Sequence, residues 1–392
     1  MVIAQYTDAI SLLQRVRSPH GFLASAAETD NYHRVWARDG VICGLAALAS
    51  GDTQLMEGFR ATLQTLAKAQ HESGTIPSNV AVGQGKTDIS YGGLAGRVDN
   101  ASWFVIGVCA YAHAAGDEAF AKEMETPIRR CLTLMQAWEF NNRHLMYVPL
   151  SGNWADEYIT EGYTLYDQLL RIWALRSFSK CYRAPEARQK ADAIAETVVR
   201  NFTAYGAGAY YHEKAYAAAS FTPFAPCCFT PAGYKPQFDA FAHALFLLLD
   251  VWPTEARPSL LEHCKKLAAA LPLGMLPAFW PPVQPGDAEW NLLENNCKYE
   301  FRNFPYEFHN GGSWPMVNGF YGMALVASGE REAAETLYNA IASANAQSDG
   351  GFYENFHSQT GAPIGVPHCS WSAAGQLLLH QYLYQEFKFD FS

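Results

Sequence analysis

Two acidic side chains, far apart in the chain, have surroundings that suit acid–base chemistry. Asp156 lies with Glu157 in the loop SGNWADEY, and Glu354 lies in the loop GGFYENFHS. Aromatic residues flank both positions, and an apolar environment raises the pKa of a carboxyl group toward neutrality. Hydrolysis of a glycosidic bond uses two carboxyl groups, one to protonate the leaving oxygen and one to activate water or attack the anomeric carbon. Asp156 and Glu354 are therefore candidates for that chemistry.

Each carboxylate also has a simpler structural explanation. Asp156 lies before a helical segment with an apolar face, where a carboxylate commonly caps the helix. Glu354 could instead form a salt bridge with Arg34, Arg38 or Arg302. The loop around Asp156, taken alone, favours the cap, so its function depends on the residues that the fold brings near it.

Four further motifs combine polar and aromatic residues ahead of apolar helical segments. They are RVWARD at 34–39, RVDNASW at 97–103, the less distinctive and presumed structural YKPQFD at 234–239, and FHNGGSWP at 308–315. Arginine and aspartate donate to and accept from sugar hydroxyls, while tryptophan stacks on a sugar ring. As structural alternatives, Asp39, Asp99 or Asn100 can cap a helix, and His309 can be a buried structural histidine.

The composition narrows the class of protein. A net charge of −10 without any basic cluster argues against nucleic acid or an anionic membrane as partner. No apolar run reaches the roughly 18 residues of a membrane span, and the N-terminus lacks the features of a secretory signal. Nine scattered cysteines, among them the neighbours Cys227 and Cys228 with no assigned function, lack metal-ligand spacing. We expect a cytoplasmic protein without metal or cofactor that binds a small carbohydrate; homo-oligomerisation is left open.

Helical patterns recur along the chain in pairs. Six apolar segments start near markers at 39, 99, 163, 238, 314 and 371, and polar helices follow five of them. The amphipathic N-terminal segment 6–17 can supply a sixth polar helix if the array closes on itself. Long loops precede the apolar helices, whereas the turns after them are short. This pattern predicts an all-α fold. It favours an (α/α)6 barrel over an open α-solenoid or two helical bundles. We expect one domain that spans residues 1–392.

The motifs also resemble a known family. FPYEFHNGGSWP at 304–315 is similar to the segment of the neutral/alkaline invertases that carries HNGGSWP. VDNASWF at 98–104, an acid-bearing loop in mid-chain and a glutamate loop ending in SWSAAG at 370–375 follow in the order of that family. WARD at 36–39 is similar to the WPRD element of glucoamylases and debranching-type α-glucosidases. The resemblance spans roughly residues 32–379.

The resemblance implies an (α/α)6 barrel and an inverting hydrolase, with Asp156 as general acid and Glu354 as catalytic base. Together with residues chosen from the motifs themselves, the predicted substrate-binding set is Trp36, Arg38, Asp39, Asp99, Asn100, Trp103, Trp154, Gln168, His309, Asn310, Trp314, His368 and Trp371. The loops after the two carboxylates differ from the invertase pattern, and these loops bear the leaving group. The substrate bond is therefore expected to be the α-glucosidic bond of sucrose, of another small α-glucoside or of an α-1,6 branch, and the motifs do not select among these three.

Two other functions fit some of these residues. A sugar 2-epimerase or isomerase on the same barrel would use His309, His357 and His368 as proton carriers. A carbohydrate-binding protein without activity would need the aromatic residues but neither carboxylate. A desolvated carboxylate pair is costly to maintain without a use, so the hydrolase is the preferred interpretation.

Overall fold

Six buried helices form a closed ring in the computed structural model, which describes residues 2–29, 31–81 and 87–392. Each inner helix packs against the next along the chain, and the last packs against the first. The six inner helices are α2 (Ala37–Ser50), α4 (Asp99–Ala115), α6 (Leu165–Tyr182), α9 (Ala240–Leu248), α12 (Pro315–Ala327) and α15 (Ser370–Tyr384). Five of them are mostly apolar, as expected for helices with protein on every side, whereas α6 also buries Asp167, Gln168 and Arg171.

Six amphipathic helices surround this ring. They are α1 (Val2–Val16), α3 (Thr53–Lys68), α5 (Glu118–Ala137), α7 (Pro185–Phe202), α10 (Arg257–Ala269) and α13 (Arg331–Asn345). In α5 the buried side chains recur every three or four residues, which places one apolar stripe against α4. Helix α1 packs against α15, so the N-terminal helix takes the sixth outer position. The predicted (α/α)6 barrel is thereby confirmed.

Short turns connect inner to outer helices at one end of the barrel. Helices α2 and α4 end at Gly51 and Gly116, which adopt the left-handed conformation that favours glycine. The side chains of Asp52 and Asp117 then cap α3 and α5 by accepting backbone N–H groups. The predicted short turns are therefore present, and the long loops gather at the opposite end.

The long loops contain only small secondary-structure elements. Three short helices, α8 (Glu213–Ala218), α11 (Trp290–Asn296) and α14 (Gln347–Gly350), and a 3-10 turn at Thr254–Ala256 lie between the ring helices. Twelve strands of two or three residues form five small sheets; they are β1 (Arg17–Ser18), β2 (Gly21–Phe22), β3 (Val35–Trp36), β4 (Asn79–Ala81), β5 (Asp88–Ser90), β6 (Tyr163–Thr164), β7 (Cys228–Thr230), β8 (Gly233–Lys235), β9 (Phe238–Asp239), β10 (Phe279–Trp280), β11 (Asn355–Phe356) and β12 (Pro363–Ile364).

These strands tie loops of neighbouring repeats together. Antiparallel pairing joins β3 to β4, β6 to β7, and β9 to β10, each time at the entrance of an inner helix. The sequence between α3 and α4 is rich in glycine over 72–96, and residues 82–86 of this loop lie outside the described residues. Within the described ranges, no helix is both long and apolar enough to cross a membrane.

Candidate active site

A cavity of about 930 Å³ lies where the long loops meet, at the mouth of the ring. The loops that lead into α2, α4, α6, α12 and α15 all contribute to its wall. The lining residues are Asn31, Tyr32, Trp36, Arg38, Asp39, Arg97, Trp154, Asp156, Glu157, Lys298, Tyr299, Glu300, Phe301, Arg302, Phe308, His309, Trp314, Glu354 and Trp371. Both predicted catalytic carboxylates thus border one cavity.

The loop that carries Asp156 is held by its own backbone and by buried side chains. The Asn153 side chain accepts the backbone N–H of Ala155 at 3.0 Å and donates to the Asp167 carboxylate at 3.0 Å. Trp154 is buried and stacks on Phe279, with 5.8 Å between ring centroids. These contacts fix the turn from which the Asp156 side chain reaches the cavity.

An ion pair determines the charge of Asp156 in this structure. The Arg97 guanidinium donates to its carboxylate at 2.9 Å (Nη2 to Oδ2). Burial alone would raise the pKa of Asp156, but the positive charge of Arg97, with smaller contributions from His309 and Arg38, outweighs it and lowers that pKa. Arg97 also donates to the Gly96 carbonyl at 2.6 Å, so its own position is fixed.

Glu157 has a different environment from its neighbour. Its carboxylate accepts two hydrogen bonds from the Arg302 guanidinium, one of them from Nε at 3.0 Å. Such a bidentate pair occupies both carboxylate oxygens. Glu157 therefore connects two loops, whereas Asp156 is the acidic group of this turn beside His309 and Arg38.

Glu354 is a buried carboxyl group with one hydrogen-bond donor from a side chain. The Tyr32 hydroxyl donates to its Oε1 at 2.6 Å, while Oε2 has no partner among the described residues. Burial raises the pKa of Glu354 to about 7, against the opposing effects of Tyr32 and Arg302, and the charge of Asp39 adds to the increase.

The predicted salt-bridge alternative for Glu354 is wrong in the described structure. Arg34 pairs with Asp88, Arg38 pairs with Asp99, and Arg302 pairs with Glu157. All three arginines named as partners are therefore engaged by other carboxylates. Glu354 therefore borders the cavity without a salt bridge among the described residues, and its Oε2 is buried and unpaired.

The two carboxyl groups approach the cavity from opposite sides. The Asp156 loop leads into α6, and the Glu354 loop leads into α15. In the order α2, α4, α6, α9, α12, α15, these helices are three positions apart in a ring of six. A ligand in the cavity therefore lies between Asp156 and Glu354.

Buried polar groups behind the wall orient Arg38. Its guanidinium donates to the Asp99 carboxylate at 2.9 Å, and Asp99 also accepts the Tyr166 hydroxyl at 3.2 Å. Trp103 completes the chain by donating to the Tyr166 oxygen at 2.9 Å. The Arg38 guanidinium also lies over the Trp371 ring, 5.5 Å from its centroid. Arg38 is thus a fixed cation on the cavity wall.

His309 presents a neutral imidazole to the cavity. Burial lowers the pKa of His309 to about 3, and neither ring nitrogen has a partner in the described part of the chain. Its ring stacks on Trp314 at a centroid distance of 4.9 Å. The Asn303 side chain accepts the backbone N–H groups of His309 and Asn310, which holds the turn. His309 therefore borders the cavity while both of its ring nitrogens are buried.

The structure divides the predicted substrate-binding set into two groups. Seven of its members line the cavity, namely Trp36, Arg38, Asp39, Trp154, His309, Trp314 and Trp371. Asp39 is buried there, and burial raises its pKa to about 6. The other six do not line the cavity, namely Asp99, Asn100, Trp103, Gln168, Asn310 and His368.

Backbone contacts account for several of these displaced residues. The Gln168 amide pairs with both backbone groups of Met146, and the Asn310 amide pairs in the same way with Val283. Asp99 and Trp103 act on the cavity only through Arg38, as described above, and Asn100 is buried in α4. The backbone of His368 is bonded to Gly351 and Ala26, and its ring is not part of the cavity wall. These six side chains are therefore not placed on the cavity wall, where a substrate would contact them directly.

Several residues that line the cavity are not among the predicted site residues. Arg97 begins the RVDNASW motif and Tyr32 lies just before RVWARD, so the neighbourhood of these motifs could have signalled both. The segment Lys298–Arg302 carries no motif, and only tertiary structure brings it to the cavity. Within the described residues, no three His, Cys, Asp or Glu side chains form a group that could hold a metal ion.

Two further buried carboxyl groups lie beneath the cavity. Burial raises the pKa of Asp167 to about 8 and that of Asp239 to about 7. Asp167 accepts the Thr164 hydroxyl at 2.6 Å and the Asn153 amide at 3.0 Å, both on Oδ2. Near neutral pH the protein therefore keeps Asp167 protonated under the loop that carries Asp156.

Replacing Asp167 by asparagine should flatten the dependence of stability on pH. In the wild type the folded-state pKa lies above the unfolded value, so the contribution of Asp167 is full below about pH 4 and is lost as pH rises through about 8. This loss amounts to at most about 1.4 kcal/mol per pH unit. Urea unfolding at pH 5 and pH 8 should show a loss about 3 to 4 kcal/mol smaller in Asp167→Asn than in the wild type. The exposed Asp192→Asn serves as control, and equal losses in all three proteins would contradict the assignment.

A closed double ring of helices with two buried carboxyl groups and aromatic rings at its mouth is the architecture of an (α/α)6-barrel glycoside hydrolase. Solved structures share the fold. A bacterial glucoamylase complexed with acarbose has 18% identity and a TM-score of 0.65, over 97% of this chain and 55% of that one. The mannosylglycerate hydrolase of Thermus thermophilus, with Tris and D-glycerate, has 13% identity and a TM-score of 0.68, over 95% and 99%. A glycosidase variant in complex with glucose has 14% identity and a TM-score of 0.66, over 97% of this chain and 96% of that one.

The sequence itself identifies the family. The profile of the alkaline and neutral invertases matches residues 8–214, more than half of the chain. The chain therefore belongs to the alkaline and neutral invertase family of glycoside hydrolases, as its motifs predicted. The mannosylglycerate hydrolase MGH1-like glycoside hydrolase domain matches residues 296–372, which include Glu354. No curated protein matches the chain.

Proposed function

We propose that this protein is an inverting glycoside hydrolase that releases a terminal hexose, glucose, from a small α-glucoside. The observation that carries the proposal is the position of Asp156 and Glu354 at opposite entrances of one ring, bordering one cavity. Glycoside hydrolysis needs one carboxyl group on the leaving-group side of the sugar and the other on the opposite face, and in the inverting reaction that the family resemblance implies the second group activates water. The cavity volume of about 930 Å³ suits a small substrate.

In this mechanism Asp156 is the general acid and Glu354 the general base. Asp156 protonates the glycosidic oxygen while the bond to the anomeric carbon breaks. Glu354 takes a proton from the water that attacks the opposite face, so the new anomeric hydroxyl has inverted configuration. The Tyr32 hydroxyl holds Oε1 of Glu354, while Oε2 is buried without a hydrogen-bond partner among the described residues.

The pKa values of the two carboxyl groups bear on this assignment of acid and base. A base with a pKa near 7 is well matched to neutral pH, which supports Glu354 in that role. Asp156, however, must carry a proton to act as the acid, and its ion pair with Arg97 lowers its pKa. The assignment therefore requires the sugar to weaken the Arg97–Asp156 pair as it binds. Exchanged roles, with Glu354 as acid and Asp156 as base, are the alternative that this order of pKa values favours.

The identity of the sugar is proposed from the related proteins and from the residues that line the cavity wall. A related glycosidase variant holds glucose, and the glucoamylase holds acarbose. Sucrose is the substrate implied by the invertase family, while the Thermus enzyme acts on mannosylglycerate. The epimerase alternative has less support, because His309 lines the cavity but His357 and His368 do not. The single domain, the cytoplasmic location and the absence of a cofactor remain predictions.

Leaving-group dependence should separate the roles of the two carboxyl groups. We expect Asp156→Asn to lose about a thousandfold in kcat/KM on sucrose, trehalose, kojibiose or isomaltose, whichever the wild type cleaves. The same variant should retain activity within about tenfold on α-glucosyl fluoride, because fluoride departs with little help from an acid. Glu354→Gln should lose activity on both kinds of substrate. The opposite pattern would assign the acid to Glu354, and full activity of either variant on disaccharides would exclude it from catalysis.

The pH profile should report the contact between Tyr32 and Glu354. The hydrogen bond from Tyr32 stabilises the carboxylate, so Tyr32→Phe should raise the pKa of Glu354 above about 7. For a base, kcat/KM falls as pH drops below this pKa, and the acid limb of the profile should therefore move up by about one unit. A shift of the alkaline limb instead would mean that Glu354 is the acid, and an unchanged profile would contradict the contact.

A further inference from the structure

The cavity has a buried end and an exposed end. Arg38, Asp39 and the rings of Trp154, Trp314 and Trp371 are all at most 5% exposed. The segment Lys298–Arg302 contributes five consecutive lining residues at the other end. Tyr299 is 91% exposed although it borders the cavity. The first sugar ring fits the buried end, where the polar and aromatic groups are fixed, and the rest of a substrate extends toward the exposed end.

The loop that carries Asp156 holds this segment in place. The Arg302 guanidinium makes the bidentate pair with Glu157. Asn303 and Asn296 each donate to the Glu157 carbonyl oxygen at 3.2 Å. Asn296 also donates to the Ser151 hydroxyl. Five hydrogen bonds thus fasten both ends of the segment to the turn around Asp156.

A general acid lies beside the oxygen that it protonates, and the leaving group begins at that oxygen. A segment fastened to the residue next to the acid therefore borders the leaving group. Tyr299 offers an exposed phenol ring there, and the Lys298 ammonium lies 5.0 Å from the centroid of that ring. A ring of this kind stacks on the apolar face of a sugar or polyol.

We propose that Lys298–Arg302 forms the leaving-group subsite, with Tyr299 as a stacking surface for a sugar or polyol and Glu157 as the positioning residue that holds the segment through Arg302. This inference rests on the proposed function. It assigns a specificity role to a segment that carries no sequence motif, and it explains why an acidic residue follows Asp156.

Tyr299→Ala should discriminate between substrates that do and do not fill this subsite. We expect KM for the disaccharide cleaved by the wild type, among sucrose, trehalose, kojibiose and isomaltose, to rise about tenfold. Hydrolysis of α-glucosyl fluoride and inhibition by free glucose should change less than twofold, because both ligands occupy the buried end alone. Tyr205→Ala, at an exposed tyrosine away from the cavity, is the matched control and should change none of these values.

Glu157→Gln tests the positioning role with the same substrates. Loss of one charge in the pair with Arg302 should loosen the segment and raise KM for the disaccharide, again with little change on the fluoride. Equal losses on disaccharide and fluoride, or no change on either, would overturn the subsite in both variants. If the wild type cleaves neither the disaccharides nor the fluoride, the proposed function itself fails, and this outcome is distinct from failure of the subsite.

Discussion

Closure of the helical ring, by packing of α15 against α2, is the constraint on which the site depends. The backbone of Ser370 bonds to Ala24, and the Ser25 hydroxyl donates to the Pro367 carbonyl at 2.7 Å. These contacts join the two ends of the chain, more than 340 residues apart. They also bring Tyr32 within hydrogen-bonding distance of Glu354. Tyr32 and Glu354 come from opposite ends of the chain. The hydrogen bond that orients the Glu354 carboxyl therefore forms only when the barrel is closed.

The closed barrel then sets contrasting environments for its acidic groups. Asp99 is matched by a buried arginine, and Asp156 by a partly exposed one. Among the described residues, the Tyr32 hydroxyl is the one side-chain donor to the Glu354 carboxyl, so burial dominates and raises its pKa to about 7. Environments that push the pKa values of two carboxyl groups apart are typical of acid–base pairs. For Asp156 to donate a proton, its ion pair with Arg97 must weaken when the sugar binds.

The sequence predicts the scaffold well because the local pattern and the tertiary role agree. Apolar segments become inner helices, amphipathic segments become outer ones, and Asp52 and Asp117 mark the turns between them. Aromatic flanks likewise indicated Asp156 and Glu354. Gln168 and Asn310 are predicted substrate ligands, but their amides pair with backbone groups. An amide pairs equally well with a sugar and with a backbone, and composition cannot distinguish the two.

Residues that reach the cavity through long-range contacts had no comparable signal. Tyr32 depends on ring closure, and Lys298–Arg302 depends on the attachment of its flanks to the turn around Asp156. Such contacts join residues roughly 140 to 320 positions apart, which no local period reveals. The motifs therefore mark the buried end of the cavity, where the fold is tightest, and leave the leaving-group end unmarked.

The configuration of the first product tests the central claim most directly. Proton NMR, recorded within minutes of adding enzyme to α-glucosyl fluoride or to the cleaved disaccharide, resolves the anomeric protons before mutarotation mixes them. The proposed inverting mechanism predicts that β-glucose appears first and that α-glucose grows in only at the rate of mutarotation. Initial release of α-glucose would contradict the account, because it would make one carboxyl group a nucleophile and the reaction a retaining one.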